Sequence, residues 1–163
     1  VRYGNIISSE GSVIPKFKQM IAEGNKTLPL THKDMTRFLM NLNDAIHFVL
    51  FSLINMKGGE ILIPKLPSVR IVDIIKVLGC KPNEIGVRPG EKIFETLCPN
   101  ETCADTIEFK DFFCIKPNLV FSSKSNFFKY KNEKGKVVNK DFSYDSNNNK
   151  DFINNTILKN LLE

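Results

Sequence analysis

At 163 residues, with 42% hydrophobic and 25% charged side chains, the chain has the size and balance of a globular domain with a buried core. Its net charge of +5 is carried mostly by single lysines scattered from Lys110 to Lys159, a solvated surface rather than the basic stripe with stacking aromatics that nucleic acid requires. No stretch approaches the ~18 apolar residues of a membrane span, and Val1–Ile7 has no signal-peptide pattern, so a cytoplasmic protein with neither nucleic-acid nor membrane partners is expected.

Val1–Ile7 reads as the end of a strand with no earlier strand to pair with, as in a segment cut from a longer parallel α/β chain. Val13, Phe17, Met20 and Ile21 recur at helical spacing and predict a helix from Val13 to Ala22, stopped by Gly24-Asn25. Leu28–Thr31 and Phe38–Met40 are short extended pieces. Asn43 is placed to cap a buried helix over Asp44–Met56 with Ile46, Val49, Leu50 and Leu53 on one face. Glu60–Pro64 is a β-branched strand closed by proline, and Ser68 is positioned to cap a helix over Val69–Leu78. Glu84–Val87 predicts a strand, Arg88–Lys92 a turn, and Phe94 to Leu97 a helical turn. Beyond Asp105, the apolar residues Ile107, Phe109 and Phe112 or Phe113 predict strands, with another at Asn118–Phe121. Asn147–Asn149 is a loop, and Asp151–Leu162 is a last helix. Alternating strands and helices predict an α/β fold, with residues 1–121 as its main portion and residues 122–163 as an Asn- and Lys-rich extension.

Cys80, Cys98, Cys103 and Cys114 form no CxxC pair, and His32 and His47 lie far from them, so reduced cysteines and no metal site are expected. Three other clusters carry groups suited to a phosphorylated ligand. Asn5 follows a strand end, and Gly11-Ser12 precedes a helix whose free backbone N–H groups and dipole favour an anion. Arg37 and Arg88 have forked donors that match phosphate, and Glu91 is an acceptor for ribose hydroxyls beside the Pro89-Gly90 turn. Each cluster alone reads equally as an ordinary cap, surface ion pair or turn; in this order they are more specific.

The runs RYGN, GSVIPKF, MTRF, GGEILIPKLPS and VRPGEK resemble the inverting UDP-N-acetylglucosamine 4,6-dehydratases of pseudaminic acid and capsule biosynthesis. These belong to the extended short-chain dehydrogenase/reductase superfamily, and the resemblance extends from Val1 to the region of Asn148. It implies the C-terminal, substrate-binding part of an extended Rossmann-type fold, lacking the N-terminal dinucleotide-binding half. That half is then an expected partner, holding the glycine-rich loop for NADP and the catalytic Tyr-x-x-x-Lys. No GxGxxG occurs here, and of the three tyrosines only Tyr130 has a lysine in register (Lys134), in a polar, tail-like segment. No catalytic residue is therefore expected in this chain, which alone should not turn over substrate.

Carried over by the resemblance, Asn5 would contact the substrate near its diphosphate, and Ile6 would sit against the nicotinamide of NADP. Gly11, Ser12, Val13, Ile14 and Pro15 would line the nucleotide-sugar site, and Thr31 would meet the uracil end. Arg37 and Arg88 would hold the diphosphate, and Glu91 the ribose. A homo-oligomer is expected, as in similar enzymes. A UDP-sugar-binding remnant without chemistry, or a sister epimerase or reductase, are the alternatives. The family commonly has Gly-Ser-Arg before the glycine at position 11, where this chain has Ser8-Ser9-Glu10; a Glu10 facing the diphosphate would oppose binding. It often has histidine where Phe94 stands.

Overall fold

The computed structural model describes residues 1–119 and 126–162. Its elements are strand β1 (Asn5–Ile6), helix α1 (Val13–Ala22), β2 (Thr27–Leu30), β3 (Thr36–Met40), helix α2 (Leu42–Asn55), β4 (Ile61–Pro64) and β5 (Ser68–Arg70). Helix α3 (Ile71–Val77), β6 (Lys81–Glu84), β7 (Thr96–Cys98), a 3-10 turn (Asn100–Asp105), β8 (Thr106–Glu108) and β9 (Phe112–Ile115) follow. The short strands β10 (Lys129–Tyr130), β11 (Glu133–Lys134), β12 (Lys136–Val137) and β13 (Tyr144–Asp145) lead to helix α4 (Asn155–Leu162). The fold is mixed α/β, as the sequence predicts. Asn118 and Leu119 are in a bend, and the remainder of the strand expected at Asn118–Phe121 lies outside the described residues.

The chain forms two compact units, each assembled from separated stretches. One contains Gly4–Asn41, Leu66–Glu95 and the residues from Ser146 on. Here β1 runs parallel to β3, β3 antiparallel to β5, and β2 parallel to β6. The core joins Ile14 and Phe17 of α1, Leu28 and Leu30 of β2, Met35, Leu39, Val69, three isoleucines of α3, and Leu158 and Leu162 of α4. Each such side chain, taken from water, stabilises the unit by about 1.5–3 kcal/mol. Helix α1 ends as expected: Gly24 adopts φ +91°, and the Gly24 and Asn25 N–H groups return to the carbonyls of Ile21 and Met20.

Three expectations in this unit need correction. Ser68 does not cap a helix; it sits in β5 opposite Phe38, and α3 begins three residues later. Backbone pairing holds it there, since Ser68 N donates to Asp151 O at 2.8 Å and Ser68 O accepts from Ile153 N at 2.9 Å. The same pairing keeps residues 151–153 extended, so α4 starts only after Asn154, whose Oδ1 accepts from Ile157 N at 2.9 Å. The strand expected at Glu84–Val87 lies earlier, at Lys81–Glu84, as an exposed edge that tolerates Pro82 and shows no apolar alternation to read.

The other unit contains Val1–Tyr3, Leu42–Lys65 and Thr96–Asp145. Its sheet, in the order β12-β8-β9-β4, is antiparallel throughout. Strand β9 is buried at all four positions, and Phe109, Phe112 and Tyr130 pack as one stacked pair at 4.5 Å with edge contacts at 5.3 and 5.5 Å. Leu97 is in a strand and not in a helical turn, because Tyr144 and Asp145 pair with β7. Helix α2 begins before Asn43, which is therefore inside its first turn. The helix buries only Ala45 and Ser52, leaving Ile46, Val49, Leu50 and Leu53 between 39% and 63% exposed. The expected apolar face exists, but no described element covers it.

Candidate nucleotide-sugar cleft

The cleft lies wholly within the first unit and is built where the ends of several strands and the start of a helix converge. Asn5 and Ile6 come from β1, Ser12, Val13 and Ile14 from the start of α1, Thr31 from the end of β2, Arg37 from β3, and Glu91 from the turn after β6. Met35, Leu39, Ile71 and Ile74 form its apolar floor. It encloses about 210 Å³, less than the ~300–1,000 Å³ of a complete small-molecule site.

The start of α1 is chemically distinctive. Ser12 occupies the N-cap position with extended backbone, yet its side chain caps nothing. An N-cap serine ordinarily accepts from the second or third helical N–H, and here the third helical residue is Pro15, which has none. Pro15 removes one of those two donors, and Ser12 Oγ is buried without a hydrogen-bond partner among the described residues. A buried hydroxyl at a helix N-terminus, beside the unpaired backbone donors of the first turn, is an arrangement completed by an anion. The approach to it is tight: Ser8 has φ +62° and Gly11 φ +74°. Glu10 is exposed and does not line the cleft, so its charge is not directed into the site.

Arg37 is largely buried, its side chain 17% exposed. Nη1 donates to the carbonyls of Thr36 and Ile93 at 2.7 and 3.1 Å, and Nη2 donates to Lys92 O at 2.8 Å. Its Nε faces Glu95 Oε1 at 3.4 Å. Four of its five N–H groups are thus engaged, three of them with residues 92–95, leaving mainly positive charge for a ligand. The Asn5 amide, oriented to satisfy both its ends, donates from Nδ2 to Glu95 Oε2 and Oε1 at 3.2 and 3.3 Å. Burial raises the Glu95 carboxyl above its ordinary value, opposed by the charges of Arg37 and Lys92.

At the cleft rim Thr31 Oγ1 donates to Glu91 Oε1 at 3.4 Å, and Glu91 Oε2 accepts from Arg88 N at 3.2 Å. Thr31 therefore lines the cleft while its hydroxyl engages the turn. Eight of the expected site residues come together: Asn5, Ile6, Ser12, Val13, Ile14, Thr31, Arg37 and Glu91. Gly11 and Pro15 flank the helix start without lining the cleft, and Arg88 is exposed on the turn, away from the lining. Reading the sequence missed Glu95 and the apolar floor; the signal for Glu95 was the counter-charge a buried Arg37 needs.

Other regions offer less chemistry. The second unit has a larger cleft of about 790 Å³ walled by Phe48, Phe51, Phe112 and Tyr130. The Tyr130 hydroxyl is engaged with Glu60 and Cys114, and burial holds it far above the ordinary phenol range. Among the described residues no group of three or more His, Cys, Asp or Glu could hold a metal, and no helix is long and apolar enough to cross a membrane.

Comparison with known proteins identifies the family. The family model described as polysaccharide biosynthesis protein matches residues 1–117. The chain is 43% identical over 152 residues to a UDP-N-acetylglucosamine 4,6-dehydratase (inverting) of Campylobacter jejuni, covering 91% of this chain and 46% of that protein. It is 39% identical over 120 residues to a UDP-glucose 4-epimerase of Rickettsia canadensis, covering 70% and 35% respectively. The X-ray structure of Pen from Bacillus thuringiensis superimposes with a TM-score of 0.79 at 32% identity, over 99% of this chain and 48% of that one. The chain thus spans about half the length of the curated dehydratase it matches. By the match over its first 117 residues, the chain belongs to the polysaccharide biosynthesis protein family.

Proposed function

We propose that this chain is the substrate-binding half of a nucleotide-sugar dehydratase that converts UDP-N-acetylglucosamine to a 4-keto-6-deoxy sugar nucleotide with inversion at C5. The observation that carries the reading is the unpartnered Ser12 Oγ at the start of α1, set among Asn5, Thr31, Arg37 and Glu91. The diphosphate would lie against Ser12 and the free N–H groups of Val13 and Ile14, over the positive charge of Arg37, with Arg88 closing from the turn. Glu91, held by Thr31 and the Arg88 N–H, would accept from the ribose hydroxyls. Half-buried Ile6 offers an apolar wall of the kind a flat nicotinamide ring takes. NADP, held mainly by a nucleotide-binding half outside this chain, would supply reversible hydride chemistry between C4 and C6, with Ile6 beside it. Oxidation at C4 makes the C5 proton acidic and allows loss of water across C5–C6. This chain's residues contribute binding and orientation, and the chain alone would be inactive.

The proposed partner half accords with the uncovered face of α2, where Leu53 and Ile54 are 63% and 80% exposed. A homo-oligomer in the cytoplasm completes the proposal. Calorimetric titration with UDP-N-acetylglucosamine, UDP and dTDP-glucose tests it. Saturable binding shared with UDP and weakened in Arg88→Ala supports the clamp; no binding by a folded sample refutes it. The epimerase likeness favours one second reading, 4-epimerisation of a UDP-sugar. Product analysis separates the two, because an epimerase yields no 4-keto-6-deoxy sugar.

A further inference from the structure

We propose that Glu95 is a positioning residue for ligand binding, holding the Asn5 amide and the Arg37 guanidinium in the orientations the cleft uses. The inference rests on the reading of this cleft as a nucleotide-sugar site. Glu95 is not among the cleft's lining residues, yet its carboxylate is where two lining residues meet. Asn5 Nδ2 reaches both of its oxygens, at 3.2 and 3.3 Å, and Arg37 Nε lies 3.4 Å from one of them. The backbone at this position is fixed from the opposite side. Glu95 N donates to Ser146 Oγ at 3.0 Å, and Glu95 O accepts from Ser146 N at 2.8 Å. Ser146 is itself fully buried and pairs with Thr36 Oγ1 at 2.8 Å. One carboxylate therefore ties the start of β1 at Asn5, β3 near its start at Arg37 and the segment after the RPGEK turn.

A negative charge close beneath an anion site works against the ligand unless the order it imposes outweighs the repulsion. That opposition gives the proposal a sign. If Glu95 merely neutralised Arg37, removing its charge would tighten binding of a diphosphate. If it positions Asn5 and Arg37, removing it loosens both and weakens binding, and glutamine, which keeps an acceptor oxygen, recovers part of the loss.

The experiment compares the full-length protein with its Glu95→Gln and Glu95→Ala variants by calorimetric titration with UDP-N-acetylglucosamine, each checked by thermal melting. Loss of a charge-assisted hydrogen-bond pair predicts a Kd about tenfold higher for Glu95→Ala and a smaller rise for Glu95→Gln. Variants that bind as well as or better than the parent overturn the proposal while leaving the cleft intact. Failure of the parent itself to bind refutes the cleft reading and the positioning role together. If Glu95→Ala does not fold, Glu95→Gln and the pH profile decide. The charged groups facing Glu95 are Arg37 and Lys92, and Asn5 is neutral. Protonating a carboxyl that burial holds above its ordinary value weakens parent binding as pH falls through that raised range, whereas Glu95→Gln gives a flatter profile. Identical profiles overturn the role.

Discussion

Gly4 is where fold and site are mechanically joined, and Gly4→Ala tests that joint. The need for glycine here is space rather than backbone freedom, since Gly4 is not among the positive-φ glycines. A Cβ on Gly4 would lie 2.5 Å from Phe38 Cβ, 2.7 Å from Phe38 O and 2.9 Å from the Phe38 carbonyl carbon. Two of these atoms are backbone, and Phe38 is fully buried, so no rotamer change relieves the contact. The strands β1 and β3 must separate, straining the pairing of Asn5 with Leu39 and the 2.9 Å bond from Ile7 N to Met40 O. Overpacking without an escape route sits at the upper end of its usual range, about 3 kcal/mol. For a chain of this size that lowers Tm by roughly 6–12 °C. Gly86→Ala is the control: nothing lies within 4 Å of its added Cβ, and its φ of +84° alone carries the cost, about 1 kcal/mol. Scanning calorimetry of both variants decides the matter. A Gly4→Ala melt within about 2 °C of the parent, or milder than Gly86→Ala, would show that the close approach of residue 4 to Phe38 is not real.

Ser8 holds φ +62°, a conformation glycine adopts without strain, so Ser8→Gly should raise stability by about 0.5–1 kcal/mol, read as a higher Tm. Burial pushes the Cys98 and Cys114 thiols up to about 12 and about 11. At about pH 8, a mass-spectrometric alkylation time course should therefore modify the half-buried Cys80 and Cys103 first, with all four reacting only after unfolding. The paired change Leu50→Lys and Leu53→Lys on the exposed face of α2 should alter the stability of this chain by no more than about 0.5 kcal/mol per site while reducing its self-association in light scattering. A loss of several degrees in Tm would mean that face is covered within the chain.

Much of the fold was legible because its signals are local. Val13, Phe17, Met20 and Ile21 mark one side of α1 by spacing alone, and Gly24-Asn25 mark its end, so the helix appears with its expected bounds. The misplacements share a physical cause, which is partners distant in sequence. Ser68 has the chemistry of a cap, but the backbone of Asp151 and Ile153 draws it into a strand. Leu97 is recruited to β7 by Tyr144, far along the chain. Periodicity also found the apolar face of α2 without indicating what covers it, because spacing encodes a face and not its occupant.

In the site, single-residue chemistry was readable and division of labour was not. Arg37 was legible as a cation near an anion site, yet its position on β3 turns its donors toward the carbonyls of Thr36, Lys92 and Ile93. A guanidinium so occupied orders the turn that carries Glu91, and its long-range charge remains for the ligand. The reverse holds for Ser12, where Pro15 removes one of the two N–H groups that could have occupied its hydroxyl, which is left unpartnered among the described residues. A proline three residues after a serine is visible in the sequence, but its consequence depends on Ser12 being the cap and on the end of α1 facing a cleft. On the proposed reading the anion site is set by which donors the fold leaves unused, and Arg88, exposed on the turn and outside the cleft lining, would have to close on a diphosphate, whereas Arg37 contributes mainly charge.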